Sequence, residues 1–96
     1  MKVADLYGKW NFQFIIQRFY FKINPNGTFE SDFFDGGDYH TGHYQFFGNM
    51  IIFNHSDGER SYPYTIKSLD SLSGKMIVTA LDGTEMYFTK AENEQA

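Results

Sequence analysis

Cysteine is absent from this 96-residue sequence, which excludes disulfides, thiolate metal sites and cysteine nucleophiles. Long apolar runs are missing as well. The longest is Met50-Ile51-Ile52-Phe53, far short of the ~20 residues that cross a bilayer as a helix, so no membrane span is expected. Positive charge is scarce: eight Lys and Arg stand against twelve Asp and Glu, a net charge of −4. That is a poor basis for gripping phosphates, and no nucleic-acid partner is expected. There is no Gly-x-Ser-x-Gly elbow and no glycine-rich phosphate loop ahead of a helix. With no residue set that specifies a reaction, neither an enzyme nor a cofactor is expected.

Flat rings are what the sequence has. One Trp, seven Tyr and eleven Phe make up 20% of it, while Ile, Leu and Val together number only 13. That balance favours strands over helices. It also excludes disorder, which goes with few aromatics. The length suits one small domain, 1–96. Lys2 is followed by no apolar signal core, so the chain as written is expected to be cytoplasmic, or a mature form whose signal has been removed. No large apolar residue follows Phe88, and residues 91–96 are expected to fray.

Apolar residues recur at every second position, the mark of half-buried strands. Trp10, Phe12 and Phe14 alternate with Asn11 and Gln13. Phe19, Phe21 and Ile23 alternate with Tyr20 and Lys22, and Tyr62, Tyr64 and Ile66 with Pro63 and Thr65. Met86 and Phe88 repeat the pattern, whereas Met76, Val78 and Ala80 alternate with Ile77 and Thr79 in a strand apolar on both faces. Pro63 cannot donate to a ladder and predicts an edge or a bulge. Between Phe14 and Phe19 the parity slips by one without any turn residue. Residues 9–23 therefore read either as one kinked strand or as two strands.

Turn chemistry separates the runs at Asn24-Pro25-Asn26-Gly27, Gly48-Asn49, Ser56-Asp57-Gly58-Glu59 and Asp82-Gly83. Leu69 to Gly74 predicts a loop with room for one helical turn. Val3 to Tyr7 predicts a helical turn that plugs one end. No segment is long enough for a crossover helix. The expected fold is all-β: an antiparallel up-and-down meander of seven or eight strands curled into a small barrel, open or closed.

Gly8-Lys9-Trp10 at the head of the first strand resembles the Gly-x-Trp mark of lipocalins and their small bacterial lipocalin-like relatives. Phe21-Lys22-Ile23-Asn24-Pro25-Asn26-Gly27-Thr28-Phe29 is similar to the family's hairpin of strand, Asx-Gly-Thr and strand. Gly42-His43-Tyr44, leading to Gly48-Asn49-Met50-Ile51, resembles its central hairpin. Tyr64-Thr65-Ile66-Lys67-Ser68-Leu69, Met76-Ile77-Val78 and Asp82-Gly83 resemble its last strands. The likeness runs over residues 6–90, in a chain much shorter than a full lipocalin. It implies a calyx-type meander able to hold a small apolar ligand, with Trp10 capping the closed end.

With Trp10 inward, the same face carries Phe12, Phe14, Phe19, Phe21, Phe29, Phe33, Tyr44, Phe46, Tyr62, Tyr64 and Phe88, interrupted by the small Ser31 and Ala80. Such a face is either a filled core or the lining of a slot, because an eight-stranded barrel has room for side chains or for one small ligand. A ligand would be thin or planar, entering a slot opened by Ser31 and Ala80. The hydroxyls of Tyr44, Tyr62 and Tyr64 would either orient it or point to the rim, because a buried O–H needs a partner. The candidate lining is Trp10, Phe12, Phe29, Ser31, Phe33, Tyr44, Phe46, Tyr62, Tyr64, Ala80 and Phe88. The same parity leaves Tyr20, Phe34, Phe47 and Tyr87 outside, as an expected contact patch.

No Lys or Arg falls between Lys22 and Arg60, a window holding Glu30, Asp32, Asp35, Asp38, Asp57, Glu59 and all three histidines. This patch is a solvated rim, or a lure for a cationic ligand or basic partner. Within it, Asp35-Gly36-Gly37-Asp38 reads as a turn or mobile lip. The spacing of Asp35, Asp38, His40 and His43 fits no standard zinc pattern. His40 and His43 also point apart on a regular strand, so no metal is expected. The expected function is a non-enzymatic binding module for a small apolar or planar aromatic ligand. The alternative is a filled barrel that grips a protein partner, or a second copy as a homodimer, through its acidic rim and an edge strand.

Overall fold

The computed structural model describes residues 2–14, 16–33, 39–56 and 58–91. The lip at 35–38, Phe34, and the tail expected to fray (Ala91 excepted) lie outside the described residues, as does the side chain of Phe14. A 3-10 helix, Val3–Leu6, precedes eight strands: β1 Gly8–Phe14, β2 Gln17–Ile23, β3 Thr28–Ser31, β4 His40–Phe47, β5 Met50–His55, β6 Ser61–Asp70, β7 Lys75–Ala80 and β8 Glu85–Lys90. Each pairs antiparallel with the next, and β8 returns to β1. The barrel is therefore closed, and no whole strand is left as an edge.

Residues 9–23 are two strands. Phe14 pairs with Gln17, and Phe12 lies opposite Phe19. Across a two-residue link, even positions face odd ones, so the slip in apolar parity is the signature of this hairpin and needs no bulge. The bulge lies elsewhere. In β6 the register shifts between Ile66 and Ser68, and beyond it Leu69 pairs with Met76 and Asp70 with Lys75. The loop expected from Leu69 therefore begins two residues later, because β6 continues with its parity reversed. Gly48 closes the β4–β5 hairpin at φ +65°, which its missing Cβ permits.

Inside, rings dominate. Phe21 lies 5.0 to 6.3 Å, centroid to centroid, from Phe12, Phe33, Phe53, Tyr64 and Phe88, within the favourable range for aromatic pairs. Phe29 is wholly buried. Ile51, Phe53, Met76, Val78 and Met86 are buried too. The runs around Ile51, Phe53, Met76 and Val78 carry apolar residues on both parities, so the inner face is set by register: Ile51 sits opposite Tyr64, and Phe53 opposite Tyr44.

One end of the barrel is plugged. Leu6 of the 3-10 helix is buried, and its carbonyl accepts a hydrogen bond from Trp10 Nε1 at 2.9 Å. The other end is framed by the β1–β2, β3–β4, β5–β6 and β7–β8 links. Among the described residues it carries three large apolar side chains that are exposed, Ile16, Tyr39 and Leu81.

Candidate functional site

The structure divides the candidate lining residues into four groups. Trp10, Phe12, Phe29 and Phe88 are buried in the ring cluster, with Phe12 and Phe88 4.5 Å apart across the β1–β8 seam. Among the described residues, the void bounded by Leu6, Phe21, Ile51, Phe53 and their neighbours holds about 20 Å³. That is room for about one water and not for an organic ligand. Tyr44 and Phe46 lie toward the plugged end, where the Tyr44 hydroxyl donates to the Asn24 carbonyl at 2.7 Å.

Ser31 does not open a slot. Its hydroxyl donates to the Tyr20 carbonyl at 2.8 Å and accepts the Phe33 N–H at 3.0 Å. Asp32 accepts the Tyr20 N–H at 2.9 Å. These two side chains stitch β2 to the end of β3 where the ladder stops. Phe33 packs on Phe12 and Phe19 above them, at 5.0 and 5.1 Å.

The remaining three, Tyr62, Tyr64 and Ala80, come together. β7 reaches only as far as Ala80, opposite Tyr64, whereas β6 begins three residues earlier at Ser61. The segment 61–63 therefore pairs with β5 alone. Pro63, which has no N–H to offer, sits in this one-sided stretch, as its chemistry requires. The chain turns away at Leu81 and Asp82, leaving a cleft of about 320 Å³ lined by Ser61, Tyr62, Pro63, Tyr64, Ala80, Leu81 and Asp82. A narrower groove of about 180 Å³ continues it over Thr65 and Thr79 to Met50.

Tyr64 is 8% exposed, and burial, followed by Tyr62 and Asp82, pushes its phenol up to about 12 from the usual 10.0. The fold holds this proton more tightly than the unfolded chain does. Its contribution is complete below pH 10.0 and disappears as pH rises toward about 12, a loss of about 2–3 kcal/mol. Denaturant titrations across that window should show wild type losing stability relative to Tyr64→Phe. Parallel curves would place the alkaline loss in other tyrosines.

A polar cluster occupies the same mouth. His40 of β4 and His55 of β5 face each other through Nδ1 and Nε2, and Arg60 Nη2 lies 3.3 Å from His55 Nε2. A guanidinium only donates, so His55 Nε2 accepts from Arg60. Among the described residues, no three metal-ligating side chains converge. His43 lies on the exposed face of β4, opposite to His40.

Of the expected contact patch, the three described rings do not come together, and Phe34 lies outside the described residues. Phe47 and Tyr87 are 55% and 63% exposed, but β4 and β8 lie on different sides of the barrel. Tyr20 on β2 is half-buried, with Lys9 Nζ 4.9 Å from its ring centre. Sequence parity assigns a face and not a position around the barrel, so it cannot group these rings. Comparison with family models, with curated proteins and with solved structures finds no match to the chain.

Proposed function

We propose that this chain is a lipocalin-like, non-enzymatic binding module whose small planar ligand lies in the β6–β7 rim cleft, outside the filled barrel. The cleft carries this reading: about 320 Å³, two tyrosines, a proline and Leu81. That volume is at the lower end of the roughly 300–1,000 Å³ usual for ligand pockets. The eight-stranded meander agrees with a calyx topology, while the filled interior moves the ligand to the mouth.

Titration with planar bicyclic aromatics should shift the Ala80 methyl resonance and leave the Trp10 indole resonance unmoved. Tyr62→Ala should weaken binding about fivefold through lost ring contact. A panel that never perturbs Ala80 overturns the reading.

A second reading, a protein-interaction module, draws on the exposed Ile16, Tyr39 and Leu81 at the same mouth. It replaces the first if the protein elutes as a dimer that Leu81→Ser returns to monomer.

A further inference from the structure

We propose that the rim cleft selects a planar aromatic that carries a positive charge, such as an N-alkylated heteroaromatic. This rests on the cleft being a ligand site and adds the charge of its occupant.

Three observations point the same way. First, the seven lining residues include one acid, Asp82, and no base. Arg60, next to the cleft in sequence, turns toward His55 Nε2, and Ser61 donates to Asn54 Oδ1 at 2.8 Å. Secondly, the Asp82 carboxylate is fixed and ionised. Its Oδ1 accepts the Thr84 N–H at 3.0 Å, and the Thr84 backbone and side-chain hydrogen bonds hold its pKa below the usual carboxylate value. Thirdly, Tyr62 and Tyr64 line the cleft together with that carboxylate. Aromatic faces carry a negative quadrupole and favour a cation over a neutral group of the same shape. Among the described residues, Asp82 has no Lys or Arg partner, so a bound cation would supply its countercharge.

Two probes of one shape separate charge from fit: N-methylquinolinium, cationic, and 1-methylnaphthalene, neutral. With wild-type protein, both should shift the Ala80 methyl, and the cation should bind about fivefold tighter or more, an advantage that shrinks with added salt. Asp82→Asn keeps the oxygen that accepts the Thr84 N–H, and Asn-Gly suits the turn, so the fold is retained. In that variant the cation's advantage should fall to about twofold or less, with the neutral probe unaffected.

Equal affinities in wild type overturn the charge selection while leaving the ligand site standing. An advantage that survives Asp82→Asn also overturns it, by moving the source of selectivity elsewhere. If neither probe reaches Ala80, the ligand site itself is overturned.

Discussion

Replacing Gly42 with alanine is expected to destabilise the barrel by about 3 kcal/mol or more. Gly42 lies in β4 directly opposite His55 of β5. A Cβ there would sit 2.0 Å from the Asn54 carbonyl oxygen and 2.8 Å from Cε1 of Phe29. A side chain in the way can rotate, but a backbone carbonyl inside a paired strand cannot leave without breaking the ladder. Overpacking against mobile side chains costs about 1–3 kcal/mol, and the backbone obstacle puts this case at or beyond the upper limit. For a chain of this size, roughly 12 °C or more of Tm should be lost. Adding Phe29→Ala removes only the lesser clash, so the double variant should be no more stable than Gly42→Ala alone. Rescue by the double variant would show that the ring, not the neighbouring strand, excludes a Cβ.

Trp10→Ala should cost about 3–5 kcal/mol, the range for deleting a buried large ring. Trp10 is 1% exposed, and its indole N–H is the tie to the 3-10 plug. Trp10→Phe separates the two roles. It keeps an aromatic in the core and removes the hydrogen bond to Leu6, which is worth about 1 kcal/mol. Amide exchange at Asp5 and Tyr7, whose N–H groups bond within the helical turn, should accelerate in Trp10→Phe before the barrel strands respond. Unchanged exchange at those two amides would mean that Leu6 burial alone secures the plug.

Much of this architecture was legible in the alternation of rings and polar residues. The inward parity of Trp10, Phe12, Phe19, Phe21 and Phe88 is a local property, and local periodicity reports it directly. Three things lay beyond it. The continuation of β6 past Lys67 was hidden because the bulge reverses parity, so the pattern reads as ended when the strand has not. The burial of Ile51 and Phe53 depends on their partners across the ladder. The His40–His55 pairing joins residues on different strands, yet a signal for it existed. The Gly48-Asn49 turn fixes the hairpin register, and counting outward from Phe47 and Met50 brings Gly42 opposite His55, with His40 just beyond. For the candidate site, parity found Tyr62, Tyr64 and Ala80. It missed Leu81 and Asp82, because the cleft exists only where β7 is shorter than β6.

The narrow closure between β1 and β8 bears on how the protein is made. Seven hairpins join neighbours along the chain and can zip as each strand is synthesised. The last junction joins Trp10 to Lys90 and Asn11 to Thr89, about eighty positions apart, and is the contact with the heaviest loop-closure entropy. During translation, Trp10 and Phe12 must wait for β8 to emerge. Until β8 docks, the ribbon presents an unpaired β1 and an uncovered row of rings, which makes that docking the step that decides between folding and aggregation.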